Sequence, residues 1–249
     1  MANSILPSDF DKSLAAAVKG FWTGRAAQTE RQLTSGAIRD AGTRSSVTGG
    51  KHLDPVIDVL EKVAVHAGLP PTSVKRRGSM EIPGYFRATK QWDLLLIHEK
   101  QLLGAVEVKS QVGSFGNNFN NRMEEALGSA TDFWRAHKEG LLPAPQSPWL
   151  GWLMLVEECD RSTTPVGVKE PYFTADPIFR DASYVKRYDV LTERLVGERH
   201  YTAATVLLST RNGGARGKYS QAEATMPIRT FAASLSGHIR AALEATTRR

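Results

Sequence analysis

The sequence predicts an α/β fold in which a central mixed sheet is flanked by helices, and three segments indicate it. Apolar residues recur at helical spacing over residues 53–67, and Gly68-Leu69-Pro70-Pro71 then ends the helix. Two β-rich runs, residues 92–97 and 102–109, are joined by a polar connection and predict an antiparallel hairpin. The continuous apolar run at residues 150–156 predicts a buried strand. Helices and strands that alternate along one chain are typical of a sheet covered by helices.

The remaining segments extend this pattern toward both ends of the chain. A polar stretch over residues 23–50, rich in Arg, Ser, Thr and Gly, is predicted to separate the first two helices. A loop rich in Gly and Asn is predicted over residues 113–121, directly after the second hairpin strand. No repeat or linker divides the chain, so we expect a single domain over residues 1–249 with an N-terminal helical and loop extension over about residues 1–50. The other predicted elements are helices at residues 8–21, 122–137, 184–199 and 228–245 and strands near residues 74–77 and at residues 203–209.

The charge balance indicates an anionic partner. The chain has 32 Lys and Arg against 26 Asp and Glu, which gives a formal net charge of +6. A positive surplus raises the local concentration of polyanions near the surface, so nucleic acid is the first partner to consider. Charge alone does not decide the matter, because many basic proteins bind nothing anionic.

The cysteine content and the hydropathy pattern exclude several classes of protein. Cys159 is the only cysteine, so the chain has no internal disulfide, no cysteine-based zinc site and no iron–sulfur cluster. The histidines lack the paired spacing of a zinc hydrolase. The longest apolar run, residues 150–156, is too short to cross a bilayer, and residues 1–10 lack the apolar core of an export signal. We therefore expect a cytoplasmic protein without a membrane partner.

The predicted hairpin carries three charged residues that are expected to converge. Side chains alternate along a strand, so Glu107 and Lys109 project from the same face, and Asp93 can lie across from them on the first strand. The neighbours are apolar, and isolated charges in such surroundings are costly. A hard divalent cation compensates them, because two carboxylates, the backbone carbonyl of Val108 and waters are the oxygen ligands that Mg²⁺ prefers.

This group of residues supplies two requirements of phosphodiester hydrolysis. Lys109 is expected to orient or activate a water and to contact the scissile phosphate, while the metal at Asp93 and Glu107 polarises the phosphate and lowers the pKa of the water. Gln111 is expected to orient water or to contact DNA, although a glutamine at a strand end also commonly binds backbone groups. The alternative interpretation is a structural ion-pair cluster with no catalytic role.

The same residues resemble a known family. Asp93 followed by Glu107-Val108-Lys109 resembles the PD-(D/E)xK nuclease signature on its α-β-β-β-α-β core, with Trp92 in place of the Pro that often precedes the first Asp. Longer runs resemble the type II restriction endonucleases of the XhoI group. These runs are VEVKSQVGSFGNNFNNR at residues 106–122, GWLMLVE at residues 151–157, Arg187-Tyr188-Asp189, and YTAA at residues 201–204.

This resemblance implies a restriction-endonuclease-like core and a specific activity. It implies a homodimeric enzyme that uses Mg²⁺, binds double-stranded DNA at the palindrome CTCGAG, and cuts each strand after the first C to leave 5′-phosphate ends. It also implies a companion DNA methyltransferase that protects the host. Two alternatives stay open: another PD-(D/E)xK nuclease, such as a repair or structure-selective one, and a DNA-binding protein without catalytic activity.

Further residues are candidates for binding DNA or the metal. Amide side chains pair with adenine and arginine pairs with guanine in the major groove. Asn121 also suits a helix N-cap with Glu124 three residues later, and the other asparagines also suit turns. Glu61, on the polar stripe of the helix at residues 53–67, is a further candidate metal ligand or simply part of a solvated face. The candidate DNA-binding residues are Arg44, Lys51, Lys90, Ser114, Asn117, Asn118, Asn120, Asn121 and Arg122.

Overall fold

The computed structural model describes residues 4–34, 52–144 and 147–247 of the chain. None of the helices in these ranges is long and apolar enough to cross a membrane. The helices are α1 (Phe10–Thr34), α2 (Asp54–His66), α3 (Phe115–Lys138), α4 (Asp160–Thr163), α5 (Tyr184–Gly197), α6 (Arg211–Gly214) and α7 (Ile228–Thr247). The strands are β1 (Val74–Lys75), β2 (Glu81–Pro83), β3 (Thr89–Gln91), β4 (Leu94–His98), β5 (Gln101–Gln111), β6 (Trp149–Glu157), β7 (Ala203–Ser209) and β8 (Ser220–Gln221).

Within the described residues, six strands form a mixed central sheet in the order β1-β4-β5-β6-β7-β8. The β5, β6 and β7 strands are parallel, whereas β1, β4 and β8 pair antiparallel with their neighbours. The strands β2 and β3 form a separate antiparallel pair. The predicted α/β fold with a mixed sheet flanked by helices is therefore confirmed.

Helices cover the sheet on two faces, and each face has its own apolar core. On the face that we call the first, α1, α2 and α7 pack over β4, β5 and β6. On the second face, α3 and α5 pack over the same strands. Trp149 is buried on the first face and Trp152 on the second, so β6 is covered on both sides, as its continuous apolar sequence predicts.

The first helix is longer than predicted. The structure extends α1 to Thr34, so residues 23–34 of the stretch that was predicted to be a polar connection are helical. Ala26, Ala27, Gln28 and Glu30 are good helix formers, and a continuous helix satisfies their backbone groups although the segment is polar. The rest of that stretch lies outside the described residues.

The helix after the second hairpin strand also begins earlier than predicted. The segment at residues 113–121 was predicted to be a loop, but α3 begins at Phe115. Phe115 stacks on Tyr184 at a ring-centroid distance of 5.8 Å, and Phe119 packs edge-on against Tyr188 at 5.0 Å. Phe115 and Phe119 are one helical turn apart, and their burial against α5 outweighs the low helix propensity of the asparagines. Asn121 is consequently inside the helix and is not its N-cap.

A two-residue turn closes the hairpin of β4 and β5. Glu99 and Lys100 both have positive φ, at 48° and 63°, which is the backbone geometry of a tight hairpin turn. The pairing register shifts between Leu96 and Ile97, and this shift leaves Leu103 of β5 without a partner, as in a β-bulge. On the far side of the bulge the last pair is Leu94 with Val106.

The small β2–β3 hairpin was not predicted from the sequence, and a buried carboxylate fixes its tip. The backbone amides of Tyr85 and Phe86 donate to Asp132 Oδ1 over 2.8 and 2.7 Å, and Arg87 Nε lies 2.9 Å from Oδ2. Asp132 is fully buried on α3. The tip of this hairpin is thus tied to a helix of the second face.

The packing of Gly214 yields a stability prediction. A Cβ at this position would come within 1.9 Å of Trp22, whose indole nitrogen donates to Ser209 over 3.1 Å. We expect Gly214→Ala to lower the free energy of unfolding by about 2–3 kcal/mol, because the buried indole must shift and its hydrogen bond weakens. Chemical denaturation measures the change. Gly128→Ala on α3 is the matched control, since a Cβ there meets nothing within 4 Å, and a similar loss in this variant would contradict the packing argument.

Candidate active site

Asp93 lies immediately before the first residue of β4, beside β5. Its backbone N–H donates over 3.2 Å to the carbonyl of Val106, the residue that also pairs with Leu94. Its side-chain Oδ2 accepts a hydrogen bond of 2.8 Å from the N–H of Val108. The carboxylate thus takes the place of a strand neighbour, and this bond fixes Asp93 against the middle of β5.

Glu107 is buried at the centre of the site and contacts a lysine through each carboxylate oxygen. Lys109 Nζ lies 2.6 Å from Oε1, and Lys90 Nζ lies 2.8 Å from Oε2. The carboxylate oxygen Oε2 is buried and has no hydrogen bond with any residue that the structure describes, so its contact with Lys90 is an ion pair without hydrogen-bond geometry. The structure therefore brings Asp93, Glu107 and Lys109 together as predicted, and it adds Lys90.

Burial and mutual charge shift the pKa values of this group in different directions. Burial raises the pKa of Asp93, and the ammonium of Lys109 offsets this only in part. Burial also acts to raise the pKa of Glu107, but Lys109 and Lys90 outweigh it and hold that pKa below its ordinary value. For Lys109, burial acts to lower the pKa, but the charges of Glu107 and Asp93 outweigh it and raise that pKa. Glu107 is thus an anion and Lys109 a cation at neutral pH.

The donors in this group fit a hard divalent cation. In the part of the chain that the structure describes, no three His, Cys, Asp or Glu side chains are grouped to hold a metal together. The acidic donors at this point are Asp93, directly before β4, and Glu107, on the adjacent strand β5. A buried carboxylate oxygen without a hydrogen bond, beside a second carboxylate, is a suitable ligand for an ion such as Mg²⁺.

Gln111 lies at the end of β5 and is held by two neighbours. Its Oε1 accepts from the hydroxyl of Tyr188 over 3.4 Å, and its Nε2 donates to the carbonyl of Gly113. Burial raises the pKa of Tyr188, so this hydroxyl keeps its proton and acts as the donor. The alternative that Gln111 binds a backbone group is what the structure shows, and its catalytic role stays a prediction. The sequence signal for Tyr188 was its place in the Arg187-Tyr188-Asp189 run.

The comparison with known families decides what kind of protein carries this site. The family model described as restriction endonuclease XhoI matches residues 31–221, more than half of the chain. The chain belongs to the restriction endonuclease XhoI family. This membership confirms, at the level of the family, the prediction of a type II restriction endonuclease.

Individual relatives of this XhoI-family chain have the same kind of name. The type II restriction enzyme BstVI of Geobacillus stearothermophilus is 46% identical over 207 residues, which cover 81% of this chain and 92% of the relative. The type II restriction enzyme XhoI of Xanthomonas vasicola is 42% identical over 192 residues, covering 76% of each chain. The type II restriction enzyme AbrI of Azospirillum brasilense is 40% identical over 171 residues, covering 67% of this chain and 75% of the relative. No solved structure matches the chain.

The candidate DNA-binding residues of this XhoI-family chain fall into three groups. Arg44 and Lys51 lie outside the described residues. Lys90 lies in β3 and contacts Glu107. The remaining candidates are on or beside the first turns of α3, immediately after the strand that carries Glu107 and Lys109: Ser114, Asn117, Asn118, Asn120, Asn121 and Arg122.

The start of α3 presents amide side chains on one exposed face. Asn117, Asn120 and Asn121 are exposed and recur at helical spacing, whereas Asn118 and Arg122 are half-buried. Arg122 forms an ion pair with Glu125 one turn later on the same helix. The asparagines are therefore arranged on a regular helix surface and not along an irregular loop.

Glu61 has a different partner. On α2, its carboxylate accepts a hydrogen bond of 2.7 Å from Arg76, which also contacts Asp58. The charges that act on Asp93 come from Lys109, Glu107 and Lys90. A place for Glu61 in the metal shell stays a prediction.

Glu157 supports the site and was not singled out from the sequence. It is buried at the end of β6. Its Oε2 accepts a hydrogen bond of 3.0 Å from the N–H of Gly113, and its Oε1 lies 2.5 Å from Arg211 Nε. Gly113 has a φ of 67° and joins β5 to α3. Glu157 therefore fixes the corner between the strand of Glu107 and the helix with the asparagines. The available signal was a charged residue that ends an otherwise apolar run.

Proposed function

We propose that this chain is a Mg²⁺-dependent type II restriction endonuclease with a PD-(D/E)xK core. The observation that carries the proposal is Glu107, a buried carboxylate with one oxygen that lacks a hydrogen bond, beside Asp93 and in contact with Lys109. In this combination Glu107 and Asp93 would serve as two metal ligands, and Lys109 would supply a cation beside them.

Asp93 and Glu107 would hold the ion, together with the backbone carbonyl of Val108. The N–H of Val108 points at Asp93, and in a β-strand the C=O of a residue faces the same edge as its N–H. The carbonyl of Val108 thus faces the edge of β5 that β4 no longer covers, because the pairing of the two strands stops at Val106. When bound, Mg²⁺ would supply charge neutralisation at the phosphate and would make a coordinated water more acidic.

Lys109 would orient the attacking water and contact the scissile phosphate. Its ammonium is fixed by Glu107 at 2.6 Å and its side chain is about one quarter exposed, at 26%, so it reaches the surface where a duplex would lie. A preorganised cation at this point stabilises the charge that develops on the phosphate oxygens without any rearrangement during the reaction. Gln111, two residues further along the same strand face, would face the same substrate.

The DNA would lie over the corner between β5 and α3. Exposed amides on the first turns of α3 suit the donor and acceptor pattern of base edges in the major groove. By its likeness to the XhoI group, the chain would recognise CTCGAG, cut after the first C and leave 5′-phosphate ends. A palindromic site suits a homodimer with twofold symmetry, and a companion DNA methyltransferase would protect the host.

A cleavage assay tests this function. We expect purified protein with Mg²⁺ to linearise a plasmid that contains one CTCGAG site, and we expect EDTA to leave the plasmid circular. A plasmid in which this site is changed by one base pair is the matched control. Cleavage at scattered positions would favour another nuclease of the same superfamily. An intact plasmid in all conditions, together with DNA binding that needs no Mg²⁺, would favour a binding protein without catalytic activity.

A further inference from the structure

A second lysine reaches the buried glutamate from outside the main sheet. Lys90, in β3, places Nζ 2.8 Å from Oε2 of Glu107, and only 11% of its side chain is exposed. The same ammonium donates to the carbonyl of Gln91 over 3.1 Å and lies 4.4 Å from the centre of the Trp92 ring. Lys109 already occupies Oε1, so each oxygen of Glu107 has a lysine beside it.

The charges of this group balance without any metal. With both carboxylates ionised, Asp93 and Glu107 contribute two negative charges, and Lys90 and Lys109 contribute two positive ones. A divalent ion at the two carboxylates would leave an excess of positive charge in a largely buried place, which is costly. The ion would also need Oε2 of Glu107, the oxygen beside which the Lys90 ammonium lies. Lys90 and the ion therefore compete for one position.

We propose that Lys90 is a positioning residue whose ammonium holds the metal position in the DNA-free protein and moves to a DNA phosphate when the duplex binds. The inference rests on the proposed function, because it takes Asp93 and Glu107 as the metal ligands. It assigns to Lys90 two successive partners, first a carboxylate of the site and then a phosphate of the substrate.

The hairpin that carries Lys90 allows the side chain to move while the backbone stays. Asp132 fixes the tip of the β2–β3 hairpin through two backbone amides and Arg87, so the strand itself is held. The neighbouring Thr89 and Gln91 are exposed, so β3 borders solvent beside the site. A flexible four-carbon stem allows the ammonium to turn from Glu107 to an incoming phosphate.

This exchange couples metal binding to DNA binding. Phosphates that arrive with the duplex attract Lys90 away from Oε2 and offset the charge of the ion. Each ligand therefore strengthens the binding of the other, and the coupling is reciprocal. The DNA-free protein is expected to bind divalent ions weakly.

Titration with Mn²⁺, followed by the loss of the free-ion electron paramagnetic resonance signal, tests the inference without measuring cleavage. We expect DNA-free Lys90→Met and Lys90→Gln to bind Mn²⁺ at least about tenfold more tightly than the wild type, because one positive charge has left the site. Lys138→Met, at the exposed end of α3, makes the same charge change elsewhere and is expected to bind like the wild type. Adding Asp93→Asn to Lys90→Met is expected to remove the gain.

A pre-cut duplex, which has phosphates but no bond left to hydrolyse at the site, gives a measurement that needs no variant. We expect it to tighten Mn²⁺ binding by the wild type by at least about tenfold, and to tighten binding by Lys90→Met much less. If neither Lys90 variant folds, unchanged Mn²⁺ binding by the wild type with the duplex still overturns the inference. Unchanged Mn²⁺ affinity in the folded Lys90 variants, or in the wild type with the duplex, would overturn the inference.

Cleavage and Mn²⁺ binding together distinguish a wrong role for Lys90 from a wrong function for the protein. A wild type that cuts DNA with Mg²⁺, while the Lys90 variants gain no Mn²⁺ affinity, keeps the nuclease and removes the role of Lys90. Absence of cleavage together with absence of Mn²⁺ binding in every protein, with or without the duplex, would remove both.

Discussion

Asp93→Asn is expected to reduce the rate of DNA cleavage at least about a thousandfold while the protein stays folded. An asparagine keeps a side-chain oxygen that can accept the hydrogen bond from the N–H of Val108, so the local structure is retained. The negative charge that would hold the metal is lost. Single-turnover cleavage of a plasmid with one CTCGAG site measures the rate, and thermal melting measures the fold.

The matched control for this variant is Asp181→Asn. Asp181 is exposed and has a φ of 53°, a conformation that asparagine also adopts readily, so the same chemical change is made at the surface without added strain. Near wild-type cleavage by Asp93→Asn would contradict the proposed metal ligand. Loss of folding in Asp93→Asn alone would favour the structural ion-pair interpretation.

Lys109→Ala is expected to reduce the rate of DNA cleavage to a similar extent, by about a thousandfold or more, and to leave DNA binding largely in place. The variant removes the cation that would orient water and contact the scissile phosphate. Glu107 keeps Lys90 as a partner at 2.8 Å, so the buried carboxylate is not left without a counter-charge. Single-turnover cleavage and a gel-shift assay separate the chemical step from binding.

Two further variants sharpen this second experiment. Lys138→Ala makes the same substitution at an exposed helix end and is expected to cut like the wild type. Lys109→Arg keeps the charge but replaces a compact ammonium by a planar group, and we expect it to stay strongly impaired because the position of the cation matters. Cleavage by Lys109→Ala within a few-fold of the wild type would refute the proposed role of Lys109.

The central hairpin and its charges could be predicted because the sequence pattern determines them directly. Alternation along β5 places Glu107 and Lys109 on one face, and the apolar residues that surround them along the strand require the strand to be paired and buried. The same reasoning gave β7, whose bounds at Ala203–Ser209 match the predicted residues 203–209. Patterns that extend over a whole strand leave few alternatives.

The contact of Lys90 with Glu107 could not be predicted, because it depends on a small tertiary feature. The strands β2 and β3 have three residues each, which is too short for a clear periodicity. Their position depends on the buried Asp132, which is more than forty residues away in the sequence. Lys90 was therefore predicted only as a basic residue near DNA.

The start of α3 shows how composition can mislead. Glycine and asparagine favour turns when only local preference is considered, and this led to a predicted loop over residues 113–121. The two phenylalanines in the segment are spaced by one helical turn, and α5 offers an aromatic surface for both. Tertiary packing of this kind overrides local propensity, and α5 is too far along the chain to be considered in a local window.

The unpaired Leu103 shifts the strand pairing of the β4–β5 hairpin by one residue. If the pairing that begins at the turn, His98 with Gln101, continued without interruption, Leu94 of the first face would come opposite Ala105 of the second. The one additional residue advances the register, so that Leu94 comes opposite Val106 and both side chains lie on the first face. The geometry at the acidic end of the hairpin thus depends on an odd or even count of residues between the turn and that end. Insertion or deletion of a single residue there would place apolar residues of one face opposite those of the other and would displace Asp93 from its hydrogen bond with Val108.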